Sequence, residues 1–133
     1  MKTYSIIVGV AIFMFDDQDQ SACRVGLTRT DDKKLVLPST LWCDTGTLEA
    51  TAKHILRTSV YADENWLNLE EMGNVEITMN SPHCSIMSVW RTYIPQNIET
   101  NTNIEWIEYA RLESVGGRLV GHHLKALRRA FNR

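Results

Sequence analysis

Histidine and cysteine side chains most often bind metals or act as nucleophiles, and this chain has four His and three Cys. The candidates, with one serine, are Cys43, Ser81, His83, Cys84, His122 and His123. Zinc ligands usually come in tight pairs such as C-x-x-C, a spacing that is missing here. No nucleophile motif frames Ser81, Cys84 or Cys43. These residues therefore predict neither a zinc site nor covalent catalysis.

A basic stripe near the C-terminus is the second chemical feature. It consists of Arg118, His122, Lys125 and Arg129. This spacing places all four on one face of a helix, and a second face is apolar, with Val120, Leu124, Leu127 and Phe131. The stripe is interpreted either as a solvated helix face or as a surface that contacts phosphates of nucleic acid, nucleotide or an acidic protein. No aromatic residue interrupts it, which disfavours single-strand binding.

The elements that position these residues follow from the pattern of apolar residues. Ser5–Phe15 is β-branched and aromatic, which predicts a central strand buried on both faces. Helices are predicted at Thr47–Ser59 and at Arg118–Phe131, after the Gly116-Gly117 break. Further strands are predicted at Ala22–Thr28, Leu35–Pro38, Asn68–Thr78 and Ser85–Tyr93, with Ile104–Leu112 read as a strand or a strand leading into a turn. The order predicts an α/β fold with a mixed β-sheet packed between helices.

The first helix has a defined buried face and a defined start. Leu48, Ala52, Ile55, Leu56 and Ser59 share one face at helical spacing. Thr45 or Thr47 is the predicted N-cap.

Length and composition set the class of protein. The 133 residues predict a single domain over 1–133, with an ordinary globular balance of 44% hydrophobic and 23% charged residues. Three cysteines, an odd number, argue against a disulfide framework and favour the cytoplasm. The apolar run Tyr4–Phe15 is too short to span a bilayer, so no membrane association is expected. A homodimer is left open.

The segment around the first helix resembles the Nudix box. That box reads G-x5-E-x7-R-E-U-x-E-E-x-G-U and usually follows L-P-G; here Leu37-Pro38 precedes it and Leu56 falls on its apolar position. Two later segments also resemble the family: residues 66–73, and residues 81–90, which are similar to the D-P-R-x-R-x-x-S-V-x-Y segment of ADP-ribose hydrolases and of NAD-metabolism regulators. The resemblance covers nearly the whole chain and implies a Nudix-like α/β/α sandwich.

The acidic positions of the box are replaced in this alignment. Gly46 stands at the first Glu, His54 and Ile55 at the Arg-Glu pair, and Thr58 and Ser59 at the Glu-Glu pair. In Nudix hydrolases these glutamates hold Mg²⁺, a hard cation that binds carboxylate or carbonyl oxygens. The resemblance thus implies a degenerate box, no catalytic residue, and no metal or cofactor at this helix.

The resemblance also suggests residues for a ligand. Aromatic residues near the mouth of the sheet often stack on the ligand's base in this family, and Trp42 precedes the helix. The ligand-binding candidates are Trp42, His54, Arg57 and His83.

Three functions are compatible with these observations. The first is a non-catalytic, regulatory module (a pseudoenzyme) that binds a nucleotide-type ligand related to ADP-ribose or NAD, or a protein partner; nucleic acid would bind through the basic stripe. The second is a divergent hydrolase of nucleoside diphosphate derivatives that uses Mg²⁺ and carboxylates outside the box. These would come from Glu49, Glu64, Glu70, Glu71 and Glu76. The third is a structural interaction domain.

Overall fold

A computed structural model describes residues 3–15, 23–31, 33–42, 46–61, 68–78, 83–94, 99–112 and 121–131. Within these ranges the strands are β1 (Thr3–Phe15), β2 (Cys23–Arg29), β3 (Leu35–Val36), β4 (Ser39–Leu41), β5 (Val60–Tyr61), β6 (Glu70–Thr78), β7 (His83–Ile94), β8 (Glu99–Thr100) and β9 (Glu105–Glu108). The helices are α1 (Leu48–Ser59) and α2 (Gly121–Phe131), and Tyr109–Arg111 forms a 3-10 turn.

Strand β1 lies in the middle of a mixed sheet. It runs parallel to β7 from the pair Thr3–His83 to the pair Met14–Ile94. Its other edge pairs antiparallel with β4 at residues 7–9 and with β2 at residues 13–15. The sheet order is β3-β2-β1-β7-β6, with β9 added to β2, while β5 and β8 form a separate pair. The predicted mixed sheet is confirmed.

Each face of the sheet packs against one of the two described helices. Successive β1 side chains point to opposite faces. Val10 and Ile12 therefore join the core beneath α1, whereas Ala11 and Phe13 join the core beneath α2. All four are fully buried, and burying each of the larger side chains contributes about 1.5 to 3 kcal/mol. The predicted sandwich of a sheet between helices is confirmed.

Helix α1 forms as the sequence predicts. Its N-cap is Thr47, whose Oγ1 accepts a hydrogen bond from the Ala50 N–H at 3.0 Å. The predicted face is inside, with Leu48 half-buried and four residues buried, namely Ala52, Ile55, Leu56 and Ser59. The helix ends where Val60 becomes extended and donates its N–H to the Leu56 carbonyl.

Helix α2 buries the predicted face only in part. The predicted start at Arg118, with Val120, lies outside the described residues. Leu127 is buried as predicted, but Phe131 is 38% exposed. Predicted Leu124 is half-buried on the same core, and the positions His123, Ala126 and Ala130, which were not predicted, are also buried. The Phe131 ring still packs on neighbouring rings, since it stacks on Tyr109 at 3.9 Å and meets buried Phe13 edge-on at 5.8 Å.

Other differences involve short elements. The ambiguous segment 104–112 is a strand followed by the 3-10 turn. Strands β4, β5 and β8 have two or three residues each and were not predicted, because pairing distant in sequence creates them. No helix in the described part of the chain has the length and apolar character needed to cross a membrane.

Candidate ligand-binding cleft

An open cleft of about 350 Å³ lies beside the second half of α1. This volume is within the range of small-molecule sites, about 300 to 1,000 Å³. We call it the helix cleft. Its lining residues are Thr28, Pro38, Ser39, Thr40, His54, Ile55, Thr58, Ser59, Asn101, Asn103 and Ile104. Four of the five positions that the resemblance assigns to a degenerate box therefore line one cavity, and none of the described side chains fills it.

The two hydroxyl groups at the box positions in α1 donate hydrogen bonds to the helix backbone. Ile55 is 5% exposed and belongs to the core beneath α1. The Thr58 Oγ1 and Ser59 Oγ hydroxyls both donate to the Ile55 carbonyl, at 2.9 and 2.7 Å. Such back-bonding is a common state of helical serine and threonine. An apolar branch and two internally bonded hydroxyls thus occupy the positions where the resemblance places carboxylates.

Asn101 closes the C-terminal end of α1. Its Nδ2 donates to the Thr58 carbonyl at 3.2 Å, and its backbone N–H donates to the Ser59 carbonyl at 2.8 Å. Its Oδ1 accepts the Asn103 N–H at 2.9 Å, which shapes the turn. The last carbonyls of a helix lack partners within the helix, so these bonds stabilise its end. Sequence reasoning missed this residue, since residues 99–103 carry only a polar turn signal.

The helix cleft is polar but almost free of ionisable groups. Its lining consists of hydroxyl, amide and apolar side chains, and exposed His54 is the only titratable residue among those described. Hydroxyls and amides can donate and accept hydrogen bonds. The arrangement is therefore suited to recognising sugar hydroxyls and base edges.

Of the three ligand-binding candidates whose side chains the structure describes, one lies at this cleft. His54 lines it. Trp42 is half-buried on the core beneath α1 and donates its Nε1–H to the Gly46 carbonyl at 2.9 Å, outside the lining. Arg57 is exposed on α1 and is also outside the lining. The side chain of His83 lies outside the described residues.

Gly46, the remaining box position, lies apart from the helix cleft. It is exposed just before α1, and a Cβ placed on it would contact nothing within 4 Å. No conformational demand for glycine is evident at this position.

The acidic residues considered as substitutes for the box are engaged elsewhere or lie outside the cleft. Glu49 is 3.6 Å from Lys53 on α1, and Glu70 pairs with buried Arg91 at 3.1 Å. Glu71 and Glu76 are exposed on β6, and Glu64 lies outside the described residues. Among the residues that the structure describes, no group of three or more His, Cys, Asp or Glu is placed to hold a metal.

The basic stripe is only partly described. Arg118 and the side chain of His122 lie outside the described residues, and Lys125 is exposed on α2. Arg129 donates its Nε–H to the Met72 carbonyl of β6 at 2.9 Å. A Cβ on Gly73, the next residue, would lie 2.8 Å from Arg129 Nη2. At least one member of the stripe therefore holds α2 against a strand.

Buried Cys23 is a further titratable group, on the far side of the sheet from α1. It belongs to the core beneath α2 and is 6% exposed. Burial raises the pKa of its thiol from 9.0 to about 11, because a thiolate is poorly solvated there. At neutral pH this cysteine is a packing residue.

Comparison with known proteins identifies the fold. No family model matches the sequence, and no curated protein matches it closely enough to count as a relative. Solved structures do match it. The Nudix domain of Shewanella oneidensis NrtR in complex with ADP ribose superimposes with a TM-score of 0.71 at 17% identity, over 97% of this chain and 87% of that one.

Two more solved structures are similar over most of this chain. Shewanella oneidensis NrtR in complex with a 27mer DNA has a TM-score of 0.74 at 15% identity, and the alignment covers 94% of this chain and 59% of NrtR. A C. elegans Ap4A hydrolase has a TM-score of 0.69 at 10% identity, over 94% and 93% of the two chains. This chain therefore has the fold of Nudix domains, as the resemblance implied, and spans about three fifths of that NrtR chain.

Proposed function

We propose that this chain is a non-catalytic module that binds a nucleotide-type ligand, related to ADP-ribose or NAD, in the helix cleft, with a regulatory role. The observation that carries the proposal is the chemistry of the cleft wall: buried Ile55 beside two hydroxyls that donate to its carbonyl. Hydroxyls and amides would contact the ligand directly, without a bridging metal.

The argument against hydrolysis at this helix concerns the metal. Mg²⁺ is held by carboxylates, carbonyls and water in near-octahedral geometry, and it offsets the charge of a pyrophosphate. The described lining offers no carboxylate, and the position where the resemblance expects a box glutamate is occupied by apolar Ile55. We infer that metal-dependent catalysis at α1 is lost and that ligand binding is retained.

The identity of the ligand is the less direct part of the proposal. The NrtR Nudix domain was solved with ADP ribose, and the open cleft here has a volume that accepts part of such a molecule. Similarity of fold alone does not fix a ligand. The cleft chemistry described above is the independent support.

A divergent hydrolase is the second candidate, because a C. elegans Ap4A hydrolase has the same fold. It would need carboxylates from outside the box. Glu71 on β6 is exposed, whereas Glu49 and Glu70 already pair with cations. If the chain also binds a macromolecule, either nucleic acid or protein, we propose that it does so only through the basic stripe.

Calorimetric titration with ADP-ribose and NAD in excess EDTA tests the proposal. We expect saturable binding, and a rise in melting temperature with ligand concentration, because the ligand binds only the folded state. Ser39→Trp should abolish binding, since Ser39 is exposed in the cleft wall. Ala50→Trp is the matched control, since Ala50 is exposed on α1 but does not line the cleft.

A parallel assay with Mg²⁺ or Mn²⁺ separates the two candidates. We expect no turnover of ADP-ribose, NAD or nucleoside triphosphates by the wild type. The variant Thr58→Glu is assayed alongside the wild type. It restores one box carboxylate, and because position 58 is exposed it does so without burying a charge. Metal-dependent turnover by the wild type that Glu71→Gln removes would establish the hydrolase instead.

A further inference from the structure

A second hollow adjoins the helix cleft. We call it the Arg29 hollow; it has a volume of about 480 Å³ and is lined by Thr28, Arg29, Thr102, Asn103 and Glu105. Thr28 and Asn103 line both cavities. The two cavities are therefore neighbours on either side of these shared residues.

Charge is distributed unequally between the two cavities. The described lining of the helix cleft contains no lysine, arginine, aspartate or glutamate. The Arg29 hollow contains one guanidinium and one carboxylate. Among the described lining residues of the two cavities, the only arginine or lysine is therefore Arg29, in the adjoining hollow.

Arg29 is held in place but is not covered. Its Nε–H donates to Glu105 Oε1 at 2.8 Å, and its Nη1 donates to the Lys33 carbonyl at 3.1 Å. The side chains of Arg29 and Glu105 are 37% and 41% exposed. A guanidinium has further N–H donors in the same plane, and these suit two phosphate oxygens at once. Fixing the plane beforehand reduces the entropy lost when a ligand binds.

On the basis of the proposed function, we infer that Arg29 recognises the phosphate groups of a nucleoside diphosphate-type ligand whose uncharged part occupies the helix cleft. Glu105 has two opposing effects. It orients the guanidinium, and its negative charge weakens the attraction for an anion. Arg29 is thus a specificity residue that favours phosphorylated over unphosphorylated ligands.

The test compares ADP-ribose with adenosine by calorimetry, in EDTA and low salt, on the full chain. Arg29→Gln should weaken ADP-ribose binding by about three- to tenfold, as expected for one exposed charge-assisted contact. Adenosine affinity should not change. Glu105→Gln should strengthen ADP-ribose binding, and Arg29→Lys should retain part of the wild-type affinity because it keeps the charge but loses the planar fork.

Arg111→Gln is the matched control. Arg111 is an exposed arginine that pairs with Glu108 at 3.3 Å and lines neither cavity. Melting temperatures of all variants establish that they are folded. Equal ADP-ribose affinity of Arg29→Gln and wild type overturns the inference and leaves the proposed function standing. If wild type binds neither ADP-ribose nor adenosine, the proposed function fails, and the role of Arg29 fails with it.

Discussion

The Nδ1 atom of His123, in α2, accepts a hydrogen bond from the backbone N–H of Leu37 at 3.1 Å. Leu37 is fully buried, and the next residues, Pro38, Ser39 and Thr40, form one wall of the helix cleft. His123 belongs to the helix on one side of the sheet. Its imidazole therefore fixes the backbone at Leu37, immediately before the residues that form the cleft wall on the other side.

We expect His123→Leu to destabilise the protein by about 1 to 3 kcal/mol, because a buried N–H would lose its acceptor. Urea unfolding measures the change in unfolding free energy, with the same slope of free energy against urea concentration fitted to both proteins. His123→Asn, which keeps an acceptor, should recover part of the loss. Lys125→Leu, at an exposed position of the same helix, controls for helix effects. Equal midpoints for His123→Leu and wild type would contradict the role of this bond.

Asn101→Ala should destabilise the protein by about 1 to 2 kcal/mol, because the Thr58 carbonyl and the Asn103 N–H each lose a hydrogen bond. Asn101→Asp keeps the acceptor but adds a negative charge at a helix C-terminus, which is unfavourable. It should therefore not restore wild-type stability. Thermal unfolding reports the loss, with exposed Thr102→Ala as control. An unchanged melting temperature in Asn101→Ala would show that this side chain does not stabilise α1.

The raised pKa of Cys23 predicts a stability change at high pH. Its folded-state pKa of about 11 lies above the ordinary 9.0, so the folded state holds the thiol proton more tightly than the unfolded state. The stabilisation from the protonated thiol is complete below pH 9 and is lost as pH rises through 11. The unfolding free energy of wild type should therefore fall more steeply over this interval than that of Cys23→Ala. If the unfolding free energies of wild type and Cys23→Ala changed in parallel over this pH interval, the raised pKa of Cys23 would be contradicted.

Two members of the basic stripe should affect the melting temperature differently when they are replaced by glutamate. Arg129→Glu should lower the melting temperature, because Arg129 donates to the Met72 carbonyl. Lys125→Glu, at an exposed site, should leave it nearly unchanged. Lys125→Glu is therefore the variant with which to measure binding to a DNA duplex at two salt concentrations. Duplex binding that this variant does not weaken would favour the solvated-face interpretation of the stripe.

Local patterns in the sequence determined the parts of the fold whose signal repeats within a few residues. The spacing of apolar residues in 48–59 defined the buried face of α1, and a threonine one residue earlier supplied its cap. The unbroken apolar run of β1 required cover on both faces, which the two helices supply. The residues Gly46, Ile55, Thr58 and Ser59, which the resemblance sets at acidic positions, could also be named from the sequence, since such an alignment depends only on residue identity and spacing.

Only the tertiary structure decided where the chain is open and which distant residues meet. Asn101 reaches Thr58 across 43 positions, and His123 reaches Leu37 across 86. No repeating local pattern of residues signals either contact, because each depends on how whole elements pack. The same reason applies to α2: apolar residues at helical spacing marked Leu124 and Leu127 correctly, but only the packing showed that His123, Ala126 and Ala130 are buried while Phe131 is 38% exposed.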